Sequence, residues 1–142
     1  MINFEINNLT KERIDPIRRG ASNGVNKKFL EKVAKKVFKI VKLKNIGEIS
    51  LVLVGEAKIK ELNKKYRNRN RVTDVLAFDY GEIFICLPQA KRQAKELGHS
   101  LKKELAILLI HGILHLAGYD DEIKKDYNEM IKAQEEIWQK TI

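Results

Sequence analysis

The chain has 142 residues, 44% of them apolar and 33% charged, enough to bury roughly two-thirds of the unfolded chain's surface in a single domain spanning 1–142. No long polar low-complexity tract argues for disorder, and the most apolar stretch, Leu105 to Gly118, contains two histidines and is shorter than the ~20 residues a bilayer requires; with the polar opening MINFEINNLTKER, neither membrane insertion nor secretion is expected. The formal net charge of +9 is uneven: the last 24 residues carry four Lys/Arg against seven Asp/Glu, which leaves +12 on the other 118 and points to an anionic partner, nucleic acid or acidic lipid.

In chain order, Phe4 and Ile6 alternate with polar neighbours in INFEIN, which predicts a first strand, and a loop follows through Pro16, Gly20 and Gly24. From Asn26, a candidate N-cap, the apolar set Phe29, Leu30, Val33, Ala34, Val37, Phe38 and Val41 repeats at helical spacing. The opposite face carries Lys27, Lys28, Lys32, Lys35, Lys36, Lys39 and Lys42 against Glu31 and reads as a solvated surface more readily than as an RNA contact. ISLVLVG, Ile49 to Gly55, is apolar on both faces and predicts a central strand, after which Gly55 hands over to a helix EAKIKELNKKYR. DVLAFD and EIFICL, joined at Tyr80 and Gly81, predict a hairpin. A helix from about Pro88 to Gly98 follows, then LKKELAILLIHGILHLAG, apolar almost all round and so a helix at the centre of the fold. A last helix, from about Glu122 to Gln139, places Ile123, Tyr127, Met130, Ile131, Gln134, Ile137 and Trp138 on one side. The predicted fold is α+β, a mixed sheet of about four strands packed with helices. Cys86, the one cysteine, excludes an internal disulfide and fits a reducing cytosol; within IFICL it reads as a small buried hydrophobe and not a nucleophile.

The central helix carries the chemistry. His111 and His115 stand at i and i+4, so both imidazoles leave one helical face and can share an ion. Gly118 can turn left-handed, end the helix and return Asp121 as a third ligand, giving H-x-x-x-H-x-x-G-x-x-D, the metzincin spacing with aspartate in the last ligand position. Three protein ligands plus water is the open arrangement of a catalytic zinc site, one ion per chain. His99, outside the pattern, reads as a surface or capping residue. Zinc proteases of this type place a glutamate after the first histidine as base; here Gly112 stands there, which argues against peptide hydrolysis. A cation can still acidify a bound water to near neutral pH, and that nucleophile suits a phosphodiester if cationic groups stabilise the charge developing on the phosphate. Such groups are present: Lys64, Lys65, Arg67, Arg69 and Arg71 fall within eight residues, with no acid between Leu62 and Thr73. Tyr66, Phe78, Tyr80 and Phe84 lie nearby in sequence and could stack on unpaired bases, although each reads more readily as core.

LNKKYR, then TDVLAF, an apolar strand, HGILHLAGYD and a charged helix resemble the bacterial YbeY family in order and spacing, from about Ile49 onward. The resemblance implies a cytosolic, zinc-dependent endoribonuclease that acts on single-stranded RNA, matures the 3' end of small-subunit ribosomal RNA and serves ribosome quality control. It also implies an α+β fold with the metal at the bottom of a basic cleft. His111 and His115 match the first two metal ligands, and Arg67 matches the arginine of the family's Y-R pair, to which catalysis is attributed. Lys64, Lys65, Arg69 and Arg71 are the expected RNA contacts. This chain departs from the family at Asp121, where histidine is usual, at Val72 and Asp79, where proline is usual, and at Ala77, where serine is usual; its hairpin loop is also shorter. Two competing expectations remain: a non-catalytic RNA- or ribosome-binding factor with a structural metal, and an iron oxygenase whose two histidines and carboxylate hold iron.

Overall fold

The computed structural model describes residues 2–12, 26–44, 46–119 and 124–141, with side chains in the last segment from 127. The loop through Pro16, Gly20 and Gly24 lies outside them, as do Asp120, Asp121, Glu122 and the side chain of Ile123. Within them run β1 (Asn3–Asn8), α1 (Lys27–Ile40), β2 (Glu48–Val54), α2 (Glu56–Arg67), β3 (Val75–Phe78), β4 (Glu82–Cys86), α3 (Leu87–Leu97), α4 (Leu101–Leu116) and α5 (Lys124–Thr141). The sheet order is β1-β2-β4-β3, with β1, β2 and β4 parallel and β3 antiparallel to β4, so the fold is α+β with a mixed four-stranded sheet, as the pattern predicts.

The strand that is apolar on both faces explains the layering. In β2, Ile49, Leu51 and Leu53 face a core shared with α1, α3, α4 and α5, while Val52 and Val54 join Leu76, Phe78, Phe84 and Cys86 under Ile59 and Leu62 of α2. β2 accordingly pairs on both sides, Leu51 standing between Ile6 and Ile83. Asn26 caps α1 by accepting the Phe29 N–H at 2.7 Å, and the lysine-rich face opposite the core is exposed apart from half-buried Lys36, which donates to the Thr141 carbonyl at 3.3 Å. The β3–β4 turn closes on Gly81, whose φ of 105° and a Cβ position only 2.3 Å from the Glu48 carbonyl oxygen admit only glycine.

α5 departs from the predicted stripe. Met130, Ile137 and Trp138 are buried, whereas Tyr127 and Ile131 are exposed, because the stripe that meets the core is the narrower set continued by Thr141. α4 is the central helix, packed by the sheet, α1, α3 and α5, and ten of its sixteen residues are buried. It lies tight against the sheet at Gly112, where an added Cβ would stand 2.8 Å from Cγ2 and 3.1 Å from Cδ1 of fully buried Ile83.

Gly112→Ala should therefore lower stability by up to about 2 kcal/mol, since overpacking costs about 1–3 kcal/mol and alanine returns roughly 1 kcal/mol of helix propensity. Urea denaturation measures the loss, which should shrink in an Ile83→Ala background; the same loss in both backgrounds would remove this contact as its cause.

Candidate active site

His111 and His115 sit on the partly open stripe of α4 while Gly112, Ile113 and Leu114 between them are buried. One helical turn brings the two rings to 5.2 Å between centroids, nearly edge to face at 67°. Nδ1 of His111 lies 3.0 Å from Oε1 of Gln134 on α5, a hydrogen bond that an imidazole protonated on Nδ1 makes as donor. Gly118, with φ of 104°, ends the helix as expected, its N–H meeting the His115 carbonyl and that of Tyr119 the Leu114 carbonyl. Asp121, the third predicted ligand, lies outside the described residues. Among the described residues no group of three His, Cys, Asp or Glu side chains is assembled to hold an ion, so the structure brings together two of the three predicted donors.

These imidazoles line a cleft of about 320 Å³ whose opposite wall is Asn63, Arg67, Arg69, Arg71, Thr73 and Asp74, with Val75, Leu76 and Ala77 of the edge strand β3 between. The basic loop is curled into place by groups that the charge pattern does not reveal. Asn68 ends α2 in the left-handed region at φ 57°, and buried Asn63 donates Nδ2–H to the Arg71 carbonyl at 3.0 Å while its own carbonyl accepts the Arg69 N–H at 3.2 Å. Arg67 donates Nη2–H to the Ala77 carbonyl at 2.9 Å and lays its guanidinium over the Phe78 ring, 5.1 Å from the centroid. Of the five predicted cationic residues, Arg67, Arg69 and Arg71 thus reach the cleft. Lys64 and Lys65 do not line it: both are exposed at the end of α2, and Lys65 rests over the Tyr66 ring at 5.2 Å.

Behind the wall runs a polar bridge that sequence reasoning missed. Asp74 accepts the Val75 N–H at 2.7 Å and an N–H of Gln93 at 3.3 Å. Gln93 also donates to Glu104 Oε2 at 2.8 Å, and Glu104 Oε1 meets His99 Nε2 at 2.6 Å. Glu104 is buried and the His99 side chain is only 18% exposed, so the ring is a partner of a buried carboxylate and not a surface group, while the His99 N–H does cap the end of α3 by donating to the Ala94 carbonyl at 3.0 Å. The Glu/His spacing of five across a helix start is the one signal that could have found it. Cys86 is buried as expected, and burial pushes its thiol above the ordinary range, which suits a packed hydrophobe.

Fold and site together define a small α+β protein that sets a helical histidine pair against an arginine-walled strand edge. The family model described as Endoribonuclease YbeY matches residues 17–142. The chain is 38% identical over 146 aligned residues to Endoribonuclease YbeY of a Sulfurihydrogenibium species, covering 94% of this chain and 95% of that one, and 43% identical over 128 residues to Endoribonuclease YbeY of Thermotoga maritima, covering 81% and 85%. A solution structure of a Thermotoga maritima protein superposes with a TM-score of 0.58 at 35% identity, over 99% of this chain and 91% of that one. The chain belongs to the YbeY family.

The His99–Glu104 contact should be strongly coupled. His99→Leu is expected to cost about 2–3 kcal/mol in unfolding free energy, because a carboxylate with almost no solvent access loses a short charge-assisted partner. Adding Glu104→Leu should restore part of it; additive losses in the double-mutant cycle would show the two groups to be independent.

Proposed function

We propose that this chain is a metal-dependent endoribonuclease specific for single-stranded RNA, acting in the cytoplasm in the processing of ribosomal RNA, including the small-subunit 3' end, and in ribosome quality control. The observation that carries this reading is the convergence of Arg67, Arg69 and Arg71 with His111 and His115 on one cleft, in a chain whose relatives are named endoribonucleases. The donor chemistry fits zinc: two imidazoles one turn apart, one of them braced through Nδ1 by Gln134, with Asp121 as the third ligand in sequence register. Bound there, zinc supplies Lewis acidity and a water acidic enough to serve as nucleophile near neutral pH.

The chain's own residues supply the rest. A phosphodiester laid along the β3 edge meets arginines, whose planar forks present paired N–H donors to phosphate oxygens. Arg67 is the candidate for stabilising charge that builds on the phosphate in the transition state. Its fork is already held by the Ala77 carbonyl and the Phe78 ring, so little reorganisation remains when substrate arrives. Arg69 and Arg71, on the curled loop, would hold neighbouring phosphates. Lys64 and Lys65, outside the cleft, would act at longer range by attracting RNA.

Single-turnover cleavage of a labelled single-stranded RNA, measured with metal, with chelator and after zinc is restored, tests the reading; zinc-loaded protein that binds RNA without cutting it would make the chain a binding factor. Metal analysis of the purified protein separates zinc from iron. Arg67→Lys should lower the maximal cleavage rate by about a hundredfold while RNA affinity changes little, since lysine keeps the charge but not the two-pronged donor set. Equal losses in rate and affinity would make Arg67 a binding contact alone. Gln134→Leu should weaken zinc binding by about 10- to 100-fold in a chelator competition, with the fold retained; an unchanged affinity would remove Gln134 from the site.

A further inference from the structure

The β3–β4 hairpin carries an aromatic arrangement that the cleavage chemistry does not use. Tyr80, at its tip, is 71% exposed, the most exposed of the large hydrophobic side chains among the described residues. Its ring lies nearly parallel to that of Phe78, 13° apart with centroids at 5.8 Å, and its hydroxyl donates to Glu82 Oε1 at 2.9 Å. Tyr66, in the last turn of α2, is 50% exposed and meets the same Phe78 ring edge-on at 5.2 Å. Phe78 itself is buried and is the ring over which the Arg67 guanidinium rests. Two open tyrosines and the arginine of the cleft therefore share one buried phenyl.

Isolated exposed apolar side chains are ordinary, but this pair is built differently. Tyr80 lies nearly parallel to Phe78 and its hydroxyl bonds Glu82, two contacts that favour one orientation of the ring before a ligand arrives, and most of its surface stays open to solvent. A flat, ordered aromatic face beside a row of cations is the combination that binds unpaired nucleobases: the ring takes the base by stacking, and the cations take its phosphates. Here Lys65 and Arg67 bracket Tyr66 in sequence and lie against the same ring cluster.

We infer that Tyr80, with Tyr66 as a second wall, forms a nucleobase-stacking subsite for single-stranded RNA whose phosphate is held at Arg67. This rests on the RNA-binding half of the proposed function. The subsite accepts any base, because every base offers a π-face, and it rejects paired ones, whose faces are already stacked; it thus supplies a physical source for single-strand preference.

The test is fluorescence anisotropy with a labelled single-stranded oligoribonucleotide, a copy abasic along its length and a hairpin duplex, together with single-turnover cleavage of the same single strand by the metal-loaded protein. Tyr80→Ala should weaken binding of the single strand about 5- to 100-fold, with no change in the slope of log affinity against log salt, because no cation is lost. Tyr80→Trp, which keeps a stacking face, should match or exceed the wild-type affinity. The wild-type and Tyr80→Ala proteins should bind the abasic strand and the duplex equally. Binding of the single strand that is indifferent to Tyr80→Ala overturns the subsite, as does an equal loss on the abasic strand, which would mean that the ring only supports the fold. If the wild type binds RNA through Tyr80 but cuts nothing, the subsite stands and the nuclease reading falls; if it binds no RNA, both fall.

Discussion

The contact between Gly112 and Ile83 sets the distance on which the rest of the site depends. With no side chain at Gly112, α4 settles onto β4 at the point where any Cβ would collide with the Ile83 side chain. On the same helical turn His111 and His115 line one cleft together with Val75, Leu76 and Ala77 of the edge strand β3. The same contact bears on an absence in the motif: a glutamate after the first histidine would be crowded against Ile83 here, so packing opposes the base that a zinc protease carries at this position.

On the other side of the cleft, polar fixtures do what packing does for the helix. β3 is an edge strand, and Arg67 occupies the Ala77 carbonyl there, which blunts the edge against pairing with another chain while aiming a cation along it. Asn63 clasps the loop that presents Arg69 and Arg71. Asp74, Gln93, Glu104 and His99 tie the start of β3 to α3 and α4 through partly buried hydrogen bonds. Placing three like charges together is costly in isolation; distributing them over a helix end and a loop with separate backbone anchors makes the cluster available for phosphate without requiring it to collapse on itself.

What could be read from the sequence divides along the same line. A helical repeat located α1, whereas α4 and the two-faced β2 were legible from unbroken apolar runs, because an element covered on all sides has no polar face to impose a repeat. The histidine pair and Gly118 were legible because helix geometry fixes an i, i+4 spacing and a left-handed stop demands glycine. Asn63, Gln93 and Gln134 were not, since a polar side chain that satisfies a distant backbone or ring atom obeys no local repeat. The charge count gave five cations in one run but could not tell Arg67, Arg69 and Arg71 from Lys64 and Lys65. That distinction comes from where α2 ends, at the left-handed Asn68. Tyr127 and Ile131 failed for a related reason: apolar residues beside a helical stripe resemble members of it until the partner surface is known.

Three of the positions at which this chain departs from the family's usual residues fall where the backbone, or plain apolar volume, does the work. Ala77 contributes its carbonyl to Arg67, an acceptor that any residue would provide. Val72 packs on the core beneath α2, where the requirement is bulk and not a fixed φ. Asp79 is exposed in the hairpin turn, and the tight geometry there is carried by Gly81 two residues on. None of the three removes a charge from the cleft wall, although a serine in place of Ala77 would add a hydroxyl there. In the proposed metal site Asp121 would differ in kind, since a carboxylate in place of an imidazole would add a negative charge to an otherwise neutral donor set. The arginine wall and the aromatic cluster beside it thus rest on contacts that those three substitutions leave in place.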